Sequence, residues 1–341
     1  MFTDRRANSL LTKRQRQPWP KDKTFKILSL DGGGIKGIYT AEILRRCEEE
    51  LGNGEPVARY FDLIAGTSTG GIIALALGMG IPAREITAFY RDDGRKIFPP
   101  LPRSCLAKIY AFFKWVRRPK LPYKELETAL KNRFQEHLLG ESVARLLVPA
   151  FMMPKAEIAV FKTDHHKDFQ RDWRTPMWEI ARATSAAPTY LKGHEHKGDG
   201  RIFIDGGVWA NNPVMLALIE ALTTYNVLPE QIEIFSIGTG NIPLELRRSL
   251  VFGGLWAWRK IINAAIFLTA DNAIAQATLL LGPDQCLRIA PSGNDAHIEM
   301  DDYDAAFARL PVLANADFNV NRHDISTFFT SIVELRERHY T

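Results

Sequence analysis

Apolar and polar positions along this chain fall into blocks of changing period. Phe25–Leu30 is a short apolar run of strand length, and apolar spacing behind it predicts a helix through about Leu51. A second apolar run starts at Tyr60 and reads as a buried strand, followed after a turn at Gly66 by an apolar helix over Ile72–Leu77. After Pro82, Ile86, Phe89 and Tyr90 share one face of a further helix. Lys124–Leu138 reads as a helix, Arg145–Met153 and Glu157–Phe161 as strands, and Trp178–Thr184 as a short helix. Arg201–Ile204 is a strand, and Asn212-Pro213 opens a helix where proline's missing N–H costs nothing. Gln231–Ile237 and Cys286–Ala290 complete the strands, and Asp324–Arg338 predicts a last helix. Strands alternating with helices imply an α/β fold with a mostly parallel sheet covered on both faces. No internal repeat and no low-complexity block interrupts the pattern.

Three stretches depart from it. Residues 1–24 are polar and basic, with Arg5, Arg6, Lys13, Arg14, Arg16, Lys21 and Lys23, and are broken by Pro18 and Pro20. They read as a flexible or loosely docked arm, and no apolar core follows to make them a secretory signal. Residues 103–120 place Phe112, Phe113 and Trp115 among six cations and no acid. Such a segment fits an anionic lipid surface, and equally a core-packed helix with a solvated basic face. Residues 247–260, with Arg247, Arg248, Trp256, Trp258, Arg259 and Lys260, invite the same two readings. Either stretch could serve as a lid or meet the phosphates of a nucleotide.

Composition narrows the class. The 341 residues, 46% hydrophobic and 24% charged, suit a globular protein with a sizeable core. A net charge of +5 favours anionic partners, with lipid, nucleic acid and phosphate ligands all open. Cys47, Cys105 and Cys286 form no metal spacing and no disulfide framework, which points to a reducing compartment. No apolar run is long enough to span a bilayer. The expectation is a cytoplasmic protein that touches a membrane from outside.

Three motifs carry chemistry. In Asp31-Gly32-Gly33-Gly34-Ile35-Lys36-Gly37, the glycines at 32, 34 and 37 satisfy G-x-G-x-x-G between a strand and a helix. A dinucleotide site would want an acid at the end of the next strand, and that strand ends instead in Ala65-Gly66-Thr67-Ser68. Bare N–H groups at such a loop can instead stabilise an oxyanion. Gly66-Thr67-Ser68-Thr69-Gly70 fits a nucleophile elbow, although an ordinary strand-to-helix turn would also fit it. Serine needs a base, and the eight histidines are poorly placed for it. His165, His166, His194 and His196 read as surface loop residues, and the His194-Glu195-His196 spacing is weak for a metal. Asp205-Gly206-Gly207 ends an apolar strand and would put a carboxylate at the same sheet edge as Ser68, where burial raises its pKa towards general-base strength. A tight Asx turn would explain this motif taken singly.

Taken together and in this order, the three motifs resemble the patatin-like phospholipases. The resemblance covers residues 25–240 and implies a three-layer α/β/α fold with a mostly parallel central sheet. It implies Ser68 as nucleophile, Asp205 as general base and no histidine. It makes Gly32, Gly33 and Gly34 the oxyanion hole, with Gly66, Thr67, Thr69 and Gly70 shaping the elbow and Gly206 and Gly207 the turn. The reaction so implied is acyl-ester hydrolysis of membrane glycerophospholipids through an acyl-serine intermediate, with no metal or organic cofactor. Overall length and a C-terminal third beyond the core also resemble the bacterial phospholipase effectors of anti-phage signalling, which a cyclic di- or trinucleotide such as cyclic GMP-AMP switches on. Those are enzymes that degrade the cell's own membrane. No DNA or RNA partner is implied, and assembly into a homo-oligomer is left open. The layout expected is an arm at 1–24, the core at 25–240 and an extension at 241–341 packed on the same domain. A constitutive acyl hydrolase or acyltransferase, or an inactive nucleotide- or lipid-binding module, are the competing readings.

Overall fold

A computed structural model describes residues 14–100, 119–196, 200–240 and 255–340, with the backbone alone for 255–267. Residues 103–118 of the first basic segment, most of the second and the first half of the arm lie outside the described residues.

Eight strands form one sheet: β1 Phe25–Leu30, β2 Leu63–Gly66, β3 Leu146–Met153, β4 Glu157–Lys162, β5 His194–Glu195, β6 Ile202–Asp205, β7 Ile232–Ile237 and β8 Cys286–Ile289. The order is β5-β6-β3-β2-β1-β7-β8, with β4 also on β3. The run β3-β2-β1-β7-β8 is parallel throughout. The pairings of β3 with β4, β3 with β6 and β5 with β6 are antiparallel, so the sheet is mixed.

Side chains alternate across the sheet with the strand period of two, and this builds two cores. Phe25, Ile27, Leu63, Ala65, Leu147, Ile232 and Ile234 face one side, against helix α6 (Val214–Thr224) and Ala277 of helix α7 (Leu255–Leu281). Leu28, Leu30, Ile64, Val148, Phe235 and Ile237 face the other. There they meet α1 (Gly37–Leu51), α2 (Thr69–Gly78), α3 (Ala83–Asp92), α4 (Tyr123–Phe134), α5 (Met177–Thr184) and α8 (Tyr303–Phe328). Each fully buried Leu, Ile or Phe contributes about 1.5–3 kcal/mol. The result is the expected α/β/α sandwich. Every residue of α2 is buried, as an all-apolar helix requires.

Helix α7 and the two-residue β5 answer to no predicted element, and two predicted helices end elsewhere than expected. The predicted helix over 324–338 is in fact the end of α8, which starts at Tyr303 behind an Asp302 cap and stops at Phe328. Beyond it the chain is not helical, because Arg336 is drawn inward to a buried ion pair with Asp164 at 2.6 Å. The helix predicted to reach Leu138 ends at Phe134, where Gln135 takes a positive φ of 48°. In the arm, Arg14 donates to Glu220 and Thr224, and Trp19 packs on Phe25 and Tyr225.

Candidate active site

Strand pairing brings the motifs together. β4 covers one edge of β3 from Leu147 to Met152, so β2 and β6 must share the other edge. β2 pairs with its first half, ending with Ala65 opposite Leu147, and β6 with its second, ending with Asp205 opposite Ala150. The two strands therefore run towards one another, and their last paired residues lie about 10 Å apart along β3, at about 3.3 Å per residue. The sequence reading put Asp205 at the C-terminal edge of a parallel sheet. The corrected geometry is a head-on meeting, since β6 runs antiparallel to β3.

Ser68 stands in that gap, as the cap of α2, with φ 55° and ψ −121°. A non-glycine residue held there carries roughly 1–3 kcal/mol of strain, which the packed surroundings must enforce. They do so because the backbone folds tightly around it. A Cβ on Gly66 would lie 2.1 Å from the Gly70 carbonyl oxygen, and one on Gly70 would lie 2.3 Å from that of Leu30. The Ser68 N–H donates to Thr184 Oγ1 at 3.0 Å, and Thr184 Oγ1 donates onward to the Pro149 carbonyl at 2.6 Å. Thr67 Oγ1 donates to the Ala210 carbonyl at 2.6 Å, and Thr69 Oγ1 is hydrogen-bonded to the Tyr90 hydroxyl.

The Ser68 hydroxyl donates to Asp205 Oδ2 at 2.7 Å. The other carboxylate oxygen, Oδ1, accepts from the Gly207 N–H at 2.7 Å. Asp205 is 4% exposed, and burial pushes its carboxyl up to about 6, against the lowering effect of the Ser68 and Gly207 hydrogen bonds. A carboxylate at that value is ionised at neutral pH and is a stronger base than an ordinary aspartate.

The glycine loop lies alongside. A Cβ on Gly32 would be 3.2 Å from Ser68 Cβ. The Gly32 N–H donates to the Asn211 carbonyl at 3.0 Å, and its carbonyl accepts from Thr239 Oγ1 at 2.7 Å. Gly34 has φ 60°, with the Met300 carbonyl oxygen 2.3 Å from where a Cβ would stand. The Ile35 and Lys36 amides donate to Met300 and Gly33 carbonyls, and no intramolecular acceptor is found for the Gly33 and Gly34 amides among the described residues. Lys36 is buried, its Nζ donates to the Gly240 carbonyl at 2.7 Å, and burial lowers its ammonium to about 8.

A cavity opens on Ser68 and Gly34. Ile72, Phe98, Leu121, Leu126, Leu191 and Met300 give it an apolar wall. The histidines take no part in it. His165, His166 and His194 are buried rather than exposed, a correction to the surface reading. Polar partners hold His165 and His166 inside. His165 bonds Thr163 and lies 3.5 Å from Glu220, and His166 bonds the Gln15 carbonyl; His194 instead packs edge-on against Trp178, with Glu179 4.0 Å away, and the half-buried His196 lies 3.6 Å from Glu179. No group of three His, Cys, Asp or Glu side chains placed to hold a metal occurs among the described residues. Thr184, Asn211, Thr239, Tyr90 and Met300 were missed from sequence. Each comes from a different segment, and no local motif announces it.

A profile of the patatin-like phospholipases matches residues 28–218. A cGAMP-activated phospholipase of Pseudomonas aeruginosa is 36% identical over 74% of this chain and 75% of its own length. A cGAMP-activated phospholipase of Vibrio cholerae is 34% identical over 75% of this chain and 76% of its own. Patatin-like protein 2 of Arabidopsis thaliana is 34% identical over 75% and 68%. The profile runs through both the elbow and the Asp205 turn and spans more than half of the 341 residues, so this chain belongs to the patatin-like phospholipase family.

Proposed function

We propose that this protein hydrolyses acyl ester bonds of membrane glycerophospholipids with Ser68 as nucleophile and Asp205 as base, and that a cyclic nucleotide switches it on. The 2.7 Å hydrogen bond from the Ser68 hydroxyl to a buried carboxylate carries the catalytic half of this reading. As Ser68 Oγ attacks the ester carbonyl carbon, its proton passes to Asp205 Oδ2 and the carbonyl oxygen becomes an oxyanion. Gly33 and Gly34 are the candidate donors to that oxygen, since the Gly32 N–H is already bonded to Asn211. The tetrahedral intermediate collapses by breaking the bond to the glycerol oxygen, which takes the proton from Asp205. Water then attacks the acyl-serine with Asp205 again as base, releasing the fatty acid and restoring the hydroxyl. One oxyanion donor is typically worth about 10²–10³ in turnover. The apolar cavity beside Ser68 suits the acyl chain. The nucleotide half rests on the relatives named as cGAMP-activated. No helix among the described residues is long and apolar enough to cross a membrane, so the lipid would be met at the bilayer surface.

The test is lipid hydrolysis by Ser68→Ala, Asp205→Ala and the pair. Nucleophile and base act as a unit, so the double variant should be about as inactive as either single one. A labelled fluorophosphonate should modify the parent at Ser68 and leave Ser68→Ala unmodified. Near-normal turnover by Asp205→Ala would remove the dyad.

A further inference from the structure

The glycine loop is braced from outside the family-matched residues. Asp31, the residue before Gly32, is buried at the end of β1. Its two oxygens accept from the two terminal nitrogens of Arg288, Nη1 to Oδ1 at 2.9 Å and Nη2 to Oδ2 at 2.6 Å. Arg288 sits on β8, with β7 between it and β1: Ser29 pairs with Ser236, and Ser236 with Arg288. Its guanidinium thus reaches across β7, and on the way Nη1 donates to Ser236 Oγ at 2.8 Å. The Asp31 N–H is held as well, by the Ile237 carbonyl at 3.1 Å. Residue 31 is therefore fixed at both backbone and side chain, two positions before the Gly33 amide.

We propose that Arg288 is a positioning residue for the reaction: by clamping Asp31 it sets the direction in which the Gly33 and Gly34 N–H groups point. This rests on the hydrolase reading above. Arg288 would touch neither substrate nor Ser68. Its effect follows from the forked, two-bond geometry, which fixes a carboxylate plane in a way that a single ammonium cannot. An oxyanion donor works only within about 2.7–3.1 Å of the oxygen in the transition state. A small displacement of the loop should therefore lower turnover, while the acyl chain, held in the apolar cavity, binds as before.

The experiment compares Arg288→Lys and the double variant Asp31→Asn/Arg288→Gln with the parent. The double variant is included because removing Arg288 alone strands a buried carboxylate and could unfold the chain. Hydrolysis of a short-chain p-nitrophenyl ester is followed with saturating cyclic GMP-AMP, alongside circular dichroism and the rate of fluorophosphonate labelling. The expected result is a folded protein with KM within about twofold of the parent. Its kcat and labelling rate should fall at least about tenfold, with the pH of half-maximal activity unmoved. Parent-level kcat in folded Arg288→Lys and in the double variant would reduce the clamp to a structural role. So would a raised KM with kcat intact. Should the double variant fail to fold, Arg288→Lys alone decides between these outcomes. A parent that neither cleaves the ester nor labels at Ser68 would instead take down the hydrolase reading, and this proposal with it.

Discussion

A carboxylate accepts the Ser68 proton only while ionised, and the Asp205 carboxyl is raised by burial to about 6 from an ordinary 3.8. Lipid hydrolysis should therefore rise with pH to half-maximum near about 6 and level off above it; a pH–rate profile checks this. The same shift fixes a sign for stability. Unfolded, the carboxyl ionises near 3.8, so between about 4 and 6 the folded state holds more protons than the unfolded one. Stability from this group is lost as pH rises through that window, by about 2–3 kcal/mol in all. Asp205→Asn should then be inactive yet more stable than the parent at pH 8, with the advantage gone near pH 4. Its amide can still accept from Gly207 and donate to Ser68. Urea unfolding at the two pH values tests it, and an advantage of equal size at both would contradict the burial effect. At this scale the sequence was informative where backbone constraint leaves a local trace. Gly66 and Gly70 are needed because a Cβ on either would strike backbone, and that need shows as Gly-x-Ser-x-Gly. Thr184 serves the same site with a side chain and Asn211 with a backbone carbonyl that any residue could supply, so nothing around them marked their place.

At the scale of elements, short apolar runs bounded by turns located the strands, because a strand buried on both faces has no other use for such a run. Strand direction was not readable in the same way. Nothing in Ile202–Asp205 says that β6 runs against β3, since that depends on the segment that brings it back. The tail failed for a related reason. Residues 324–338 have apolar spacing, but α8 ends at Phe328 and Arg336 is taken up by a distant partner. Arg336 is buried, donates to Asp164 Oδ1 at 2.6 Å, and also gives hydrogen bonds to the Ser142 and Gly140 carbonyls. Asp164 in turn accepts from the Tyr340 N–H at 2.8 Å. Arg336→Ala strands a buried carboxylate and two carbonyls, so it should cost about 3–5 kcal/mol by chemical denaturation. At temperatures where the variant is folded, kcat should be close to the parent's, because these contacts lie away from the Ser68 cavity. A loss under about 1 kcal/mol would show that the tail is not held by this pair.

The described residues form one mixed sheet between two helical layers, with Ser68 inside rather than on an open face: the residue is 6% exposed. A phospholipid must reach that hydroxyl through the cavity that opens on it, and under the proposed switch the active state would differ from a resting one in access or in loop geometry. A nucleotide can favour the active state only through tighter binding to it, and moving a population from about 1% to 99% needs roughly 5.5 kcal/mol of such preference. A cyclic dinucleotide offers two phosphates for charge-assisted hydrogen bonds, which are the strong ones, and the chain's net charge of +5 suits an anion. Binding and catalysis should then separate cleanly. Cyclic GMP-AMP at about 100 times its Kd should stabilise the folded protein by about 2.7 kcal/mol, seen as a rise of several degrees in Tm. Ser68→Ala should show the same rise and no hydrolysis, while the parent's hydrolysis of a fluorogenic phospholipid should climb from near zero over the same nucleotide range. Full hydrolysis by the parent without nucleotide, with Tm unchanged across a panel of cyclic di- and trinucleotides, would leave a constitutive lipase. A Tm rise without any gain in hydrolysis would mean that the nucleotide binds both states alike, since a ligand with equal affinity for two states shifts neither.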